Sequence, residues 1–142
     1  MQQVKEVLEN KGNNVWTIAP EATVYQALEL IAEKDIGALL AMDDGRVVGV
    51  FTERDYARKV ILAGRASRQT SVRDVMTTRV ISVRPDQSVE NCMALMTEKR
   101  IRHLPVMEED DLKGLVSIGD LVKAIMAEQR YMIDQLEHYI SG

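Results

Sequence analysis

A chain of 142 residues with 46% hydrophobic and 28% charged residues has the size and composition of one globular domain or two very small ones. Its formal net charge of −4 at pH 7 argues against a broad nucleic-acid surface, which requires clustered positive charge. The single cysteine excludes an intramolecular disulfide. Because the chain has neither a signal-peptide core nor an apolar run of membrane-spanning length, we expect a cytoplasmic protein.

The first half of the chain predicts a strand, a helix, a β-hairpin and a second helix. VWTI at 15–18 is typical of a strand, and Thr23 then precedes apolar residues with helical spacing. ALLAM at 38–42 and RVVGVFT at 46–52 flank a turn at Asp43, Asp44 and Gly45, which predicts a hairpin. ERDYARKVILAG, which follows, predicts the second helix.

The second half repeats this order. VISV at 80–83 predicts a strand, Ser88 precedes the helical pattern, and HLPVM and LKGLVSI predict the hairpin. Residues 20–56 align with 85–121 without a gap, and ten of the 37 positions are identical. The identical residues of the first repeat are Pro20, Val24, Leu30, Glu33, Lys34, Ile36, Leu39, Met42, Gly49 and Asp55. The chain is therefore an internal duplication.

Two turns stand out because both repeats contain the same polar pattern. GVFTERD (49–55) and GLVSIGD (114–120) each contain a glycine, two apolar residues, a hydroxyl residue, two variable residues and an aspartate. The hydroxyl and the carboxylate could cap the following helix. They could also bind a nucleotide, because a carboxylate can accept both ribose hydroxyls and a helix N-terminus suits a phosphate. One turn favours capping, whereas two symmetric turns beside an internal cleft favour a ligand.

The ordered pieces resemble the cystathionine-β-synthase (CBS) domain family, over about residues 4–127. The resemblance rests on VKEVL and VRDVM, VWTIAP and VISVRP, IRHLPV, and the two turns. It implies a stand-alone, bacterial-type domain pair (a Bateman module) with an α/β (α+β) fold. Two βαββα modules, at 4–64 and 72–127, would pack sheet to sheet with pseudo-twofold symmetry, and residues 128–142 would extend the last helix.

The resemblance also implies a ligand and a site. CBS pairs bind AMP, ADP, ATP, NAD or, less often, S-adenosylmethionine in two clefts between the modules. Asp55 and Asp120 would hold ribose hydroxyls, and Ile18 and Val83 would offer apolar faces to adenine. The full nucleotide-binding set that the resemblance implies comprises Thr17, Ile18, Pro20, Ala38, Thr52, Arg54, Asp55, Ser82, Val83, Pro85, Arg102, His103, Ser117, Ile118 and Asp120.

The two clefts are expected to differ where basic residues occur. The second repeat has Arg102 and His103 where the first has Gly37 and Ala38. Strand alternation sends Arg102 to the opposite side, so His103 is expected either to contact a phosphate or to be structural. Arg54 is interpreted as a solvated turn residue or as a phosphate clamp.

Nothing in the sequence predicts catalysis or a metal site. The two histidines and Cys92 have no metal-ligand spacing, and no serine or cysteine has a recognisable activating base. Cys92 is expected to be a small buried hydrophobe, and the acidic run 108–111 a solvated turn. We therefore expect a nucleotide sensor and not an enzyme, with a ligand-free dimerisation scaffold as the alternative.

The chain continues past the second module with helical spacing of apolar residues, at Val122, Ile125, Met126, Met132, Ile133, Leu136, Tyr139 and Ile140. This face could pack onto its own module or form a subunit interface. We expect a homodimer, and the sequence does not name a downstream protein partner.

Overall fold

The computed structural model describes residues 2–12 and 14–141. It has a mixed α+β fold with two small sheets. The elements, in chain order, are α1 (Val4–Lys11), β1 (Thr17–Ile18), α2 (Val24–Lys34), β2 (Ala38–Asp43), β3 (Arg46–Thr52), α3 (Glu53–Asp55), a π-helical turn (Tyr56–Ile61), a 3-10 turn (Ser67–Gln69), α4 (Val72–Val75), α5 (Val89–Lys99), β4 (His103–Glu108), β5 (Asp111–Ser117) and α6 (Ile118–Ser141).

The described residues form two compact units that differ from the expected modules 4–64 and 72–127. One unit consists of residues 14–81, and the other combines residues 2–12 with 82–141. Helix α1 therefore belongs to the unit of the second repeat, and α4 to the unit of the first. Each sequence repeat begins with a short helix, α1 or α4, which we call its opening helix. This helix lies in the unit that contains the rest of the other repeat.

Backbone hydrogen bonds hold both opening helices in the same way. The first N–H groups of each helix donate to carbonyl oxygens around the proline that precedes α2 or α5. These bonds are Val4 to Gln87 (2.9 Å), Lys5 to Pro85 (3.0 Å), Val72 to Ala22 (2.8 Å) and Arg73 to Pro20 (2.8 Å). Because the first N–H groups of a helix have no partner within it, these carbonyls satisfy them.

The unit of residues 14–81 contains a three-stranded sheet in the order β1-β2-β3. β1 is parallel to β2, and β2 is antiparallel to β3. Asp44 (φ 55°) and Gly45 (φ 77°) form the hairpin turn, which confirms its expected place. Thr23 caps α2 by accepting a hydrogen bond from the Gln26 N–H at 3.1 Å. The apolar face of α2 lies in the core with Phe51 of β3.

The unit of the second repeat contains the antiparallel pair β4-β5. The expected strand at 80–83 is reduced to one parallel bridge, from Val83 to Val106. In the first repeat only Thr17 and Ile18 of the expected strand 15–18 pair with β2. The N–H of Val80 turns back to the carbonyl of Thr78 (3.0 Å), so it is not available to a neighbouring strand. Cys92 is fully buried, as expected, and burial raises the pKa of its thiol to about 11.

Helix α6 runs without interruption across the boundary expected at residue 128. Of its residues only Leu121 is fully buried, whereas Ile133 is 54% exposed and Ile140 81% exposed. The part of the apolar face from Met132 to Ile140 is therefore not packed onto its own unit, whereas Ile125 is partly buried. None of the helices among residues 2–12 and 14–141 is both long and apolar enough to cross a membrane.

Candidate functional site

Each of the two turns joins the end of a hairpin to the start of a helix. β3 ends at Thr52 directly before α3, and β5 ends at Ser117 directly before α6. The registers place Ala38 opposite Thr52 and His103 opposite Ser117. Because directly opposed residues point to the same face of a sheet, His103 and Ser117 share one face.

Both turns cap their helices, as the simpler interpretation of the pattern predicts. The hydroxyl oxygen of Thr52 accepts from the N–H of Asp55 (3.1 Å), and Asp55 Oδ2 accepts from the N–H of Thr52 (3.0 Å). Ser117 and Asp120 form the same reciprocal pair at 3.1 and 2.8 Å. A turn can cap its helix and also bind a ligand only if one carboxylate oxygen can still accept a hydrogen bond from that ligand.

In the unit of residues 14–81, the carboxylate of Asp55 is enclosed by its own chain. Asp55 Oδ1 accepts from the hydroxyl of Thr77 (3.3 Å) and forms an ion pair with Lys59 (3.2 Å). The hydroxyl of Thr52 lies 3.2 Å from Asp55 Oδ2. The residue is only 8% exposed. A ribose could reach this carboxylate only if Thr77 and Lys59 moved away.

Asp120 has a more open environment. Its Oδ2 contacts the ammonium of Lys11 at 2.6 Å, and its side chain is 18% exposed. Within the part of the chain that the structure describes, no hydrogen bond reaches Oδ1. Burial alone would raise the pKa of Asp120, but the hydrogen bonds from Lys11 and the Ser117 N–H outweigh it and lower the pKa. Asp120 is therefore an ionised acceptor at neutral pH.

His103 lies half-buried beside this carboxylate. Burial is the main cause that lowers the pKa of its imidazole, and the positive charges of Lys11 and Arg102 lower this pKa further. The negative charge of Asp120 raises the pKa but does not outweigh them. The ring is therefore neutral at pH 7, where it can donate or accept one hydrogen bond. Arg102 is exposed, and its backbone carbonyl accepts the first N–H of α6 at 2.9 Å.

The remaining expected site residues differ widely in accessibility. Val83 and Ala38 are each 2% exposed, so their side chains offer almost no surface to a ligand. The exposed members are Thr17, Arg54, Ser82 and Ile118, the partly buried ones are Ile18 and Pro85, and Pro20 is buried. The first seven members of the set lie in the unit of residues 14–81, and the other eight in the unit of the second repeat. Each candidate site is thus described within one unit.

Three contact residues were missed by the sequence reasoning. Lys59 lies four residues after Asp55 on a helical pattern, so helical spacing alone could have identified it. Thr77 and Lys11 approach the carboxylates from distant positions, and no local pattern indicates either contact. Among residues 2–12 and 14–141, no cluster of three or more histidine, cysteine or acidic side chains is arranged to hold a metal ion.

Comparisons with known proteins agree on one family. Residues 4–61 and 72–127 match the family model of the CBS domain. A mitochondrial CBS domain-containing protein of Arabidopsis thaliana is 38% identical, with 98% of this chain and 72% of that protein covered. A CBS domain-containing protein of Bacillus subtilis is 33% identical, with 91% and 89% covered. A CBS-domain structure from Burkholderia ambifaria superimposes with a TM-score of 0.87 at 49% identity, covering 90% of this chain and 96% of that one.

Two further structural neighbours were solved with bound ligands or as an oligomer. A CBS domain pair with a TM-score of 0.78 was solved with 5′-methylthioadenosine and S-adenosyl-L-methionine; at 22% identity that likeness shows the fold alone. A CBS-CP12 protein from bloom-forming cyanobacteria, 30% identical with a TM-score of 0.76, is hexameric.

Proposed function

Because this chain belongs to the CBS-domain family, whose domain pairs are generally regulatory and ligand-binding, we propose that it is a non-enzymatic sensor of adenine nucleotides. The ligand is AMP or a related molecule (ADP, ATP or NAD), bound at the turn that ends in Asp120. One observation carries the proposal. Asp120 combines an ionised carboxylate with an oxygen, Oδ1, that accepts no hydrogen bond among the described residues, next to Ser117 and His103.

The chemistry of this turn suits a ribose phosphate. Oδ1 can accept a hydrogen bond from a ribose hydroxyl, and charge-assisted hydrogen bonds of this kind are the stronger ones. The hydroxyl of Ser117 can donate to a second oxygen while its lone pair caps α6. His103 shares the face of Ser117 and can contact a phosphate.

The turn that ends in Asp55 is proposed as a weaker second position. Its hydroxyl–carboxylate pattern is the same, but Thr77 and Lys59 occupy Oδ1, the oxygen of Asp120 that no described residue contacts by a hydrogen bond. Binding there must first break these contacts, which lowers the affinity. Arg54 and Thr17 are exposed in this unit and remain proposed contacts of a phosphate and of adenine.

A melting-temperature series tests the proposal against its alternatives. The purified chain is heated with adenosine, AMP, ADP, ATP, NAD, S-adenosylmethionine or GMP. A ligand at a hundred times its Kd stabilises the folded state by about 2.7 kcal/mol. We expect the melting temperature to rise with one or more adenine nucleotides and to stay unchanged with GMP. No increase with any adenine compound would favour the ligand-free scaffold, and chromatographic detection of nucleotide turnover would contradict the non-enzymatic assignment.

The apolar face of α6 supports the further proposal of a homodimer. Met126, Met132, Ile133, Leu136 and Ile140 are each more than half exposed along one helix. A contiguous apolar surface of this length on a folded chain marks an interaction site, and a related CBS protein is oligomeric. Removal of residues 129–142 should produce a monomer in sedimentation while nucleotide binding persists. A truncated chain that remains a tight dimer would refute this role of α6.

A further inference from the structure

The residues at the end of each opening helix contact the aspartate of the turn in different ways. In the unit of residues 14–81, the partner segment is fixed by its backbone: Thr77 exchanges two backbone hydrogen bonds with Val50, at 2.9 and 2.8 Å, and donates its hydroxyl to Asp55. In the other unit, the position equivalent to Val50 is Leu115. Its carbonyl accepts from a side chain, the ammonium of Lys11, at 2.7 Å.

Lys11 therefore makes both contacts through one flexible group. Its ammonium donates to the Leu115 carbonyl and to Asp120 Oδ2, at 2.7 and 2.6 Å. It is the last residue of α1, and its side chain is 35% exposed. A lysine side chain is a flexible four-carbon stem, so its ammonium can move to a different anion by bond rotation while the backbone stays in place.

We propose that Lys11 is the residue that makes this site prefer phosphorylated nucleosides over the free nucleoside. The inference rests on the proposed nucleotide site at Asp120. Without ligand, Lys11 neutralises Asp120. When a nucleoside phosphate binds, one ribose hydroxyl donates to Oδ1 and the second competes with Lys11 for Oδ2. Lys11 then turns to the phosphate, so that each charge keeps a partner. When adenosine binds, Lys11 loses Asp120 and gains no anion in return.

If Lys11 exchanges partners in this way, Lys11→Gln should weaken the binding of AMP without weakening the binding of adenosine. Lys11→Gln removes the cation that the phosphate would gain, so AMP should bind about ten- to a hundredfold more weakly. The same substitution removes the group that competes with the second ribose hydroxyl for Oδ2, so adenosine should bind equally well or more tightly. A residue that only supported the fold would change both affinities in the same direction.

Calorimetric titration of AMP and of adenosine into the full chain tests the inference. The matched control is Lys5→Gln, which removes an exposed lysine from the same helix and changes the net charge equally. Lys11→Arg, which keeps the positive charge, should retain the preference for AMP. Melting temperatures of the three variants verify that each is folded.

The outcomes separate the inference from the proposed function. Loss of the AMP preference in Lys11→Gln alone supports the inference. Unchanged affinities in Lys11→Gln, an equal loss for both ligands, or the same loss in Lys11→Arg or Lys5→Gln overturns it while nucleotide binding stands. If the unmodified chain binds neither AMP nor adenosine, the proposed function fails and the inference with it.

Discussion

At the scale of single residues, Asp55 and Asp120 occupy identical positions in the repeat but have different neighbours. Both cap a helix, but Lys59 and Thr77 contact Oδ1 of Asp55, whereas Lys11 contacts Oδ2 of Asp120. We therefore propose that Asp55 acts chiefly in stability and Asp120 chiefly in binding. The difference arises outside the two turns, so it cannot be read from the turns themselves.

The contact between Thr77 and Asp55 gives a stability prediction. Thr77→Val removes the hydroxyl but keeps a β-branched side chain, so the buried carboxylate loses one hydrogen bond. We expect the free energy of unfolding to fall by about 1 kcal/mol. Urea denaturation measures the change.

The adjacent Thr78→Val is the matched control for this substitution, because Thr78 is exposed and its hydroxyl makes no hydrogen bond among the described residues. The control should stay within about 0.5 kcal/mol of the unmodified chain. Equal losses in the two variants would contradict the role of Thr77.

Sequence reasoning identified the turn residues but not what surrounds them. The duplicated pattern led directly to Thr52, Asp55, Ser117 and Asp120. It could not predict which carboxylate stays accessible, since Lys11 lies 109 positions from Asp120. It also selected Val83 as a face for adenine, although that side chain is buried. An apolar strand residue looks the same in a sequence whether it faces the core or a ligand.

At the scale of elements, one glycine in each hairpin explains how the opening helices pack. A Cβ on Gly114 would lie 2.6 Å from Leu8 Cδ2, and one on Gly49 would lie 2.5 Å from Met76 Sδ. Each glycine therefore provides the space for an apolar side chain from α1 or from the end of α4. The identity of Gly49 and Gly114 in the repeat reflects a shared packing requirement.

Replacing each of these two glycines by alanine should lower the free energy of unfolding by different amounts. Gly114→Ala forces the branched Leu8 to shift, and overpacking of this kind costs about 1–3 kcal/mol. Gly49→Ala meets the flexible end of a methionine, which can rotate away, so its cost should be smaller. Thermal or urea unfolding of the two variants provides the comparison.

A double mutant separates this packing effect from a general effect of the added methyl group. In a Leu8→Ala background the penalty of Gly114→Ala should shrink, because the clashing side chain is gone. An undiminished penalty would show that Leu8 is not the cause.

The elements themselves were largely predictable, and the exceptions have physical causes. Hairpins, caps and apolar helix faces depend on local periodicity, and the structure contains them at the expected residues. The strands expected at 15–18 and 80–83 are short of their predicted length because strand formation depends on distant partners. Of the residues in these two segments, only Thr17 and Ile18 pair with β2 and only Val83 pairs with β4.

At the scale of the whole molecule, the repeat in the sequence and the compact unit are different divisions of the chain. Each unit needs the opening helix of the other repeat to cover its glycine and to bond its proline carbonyl. An alignment of the repeats shows where the duplication lies but not which copy of the helix each unit uses. The apolar face of α6 was recognised from its spacing, and the structure leaves its part from Met132 to Ile140 exposed.

The central claim is that an adenine nucleotide binds through the carboxylate of Asp120. Calorimetric titration of AMP into the unmodified chain, Asp120→Asn and Asp110→Asn tests it most directly. Asparagine keeps the helix cap, and the exposed Asp110 at the β4–β5 turn controls for the loss of one negative charge. We expect AMP to bind at least about tenfold more weakly to Asp120→Asn and with unchanged affinity to Asp110→Asn. Equal AMP affinity in Asp120→Asn and the unmodified chain would contradict this claim.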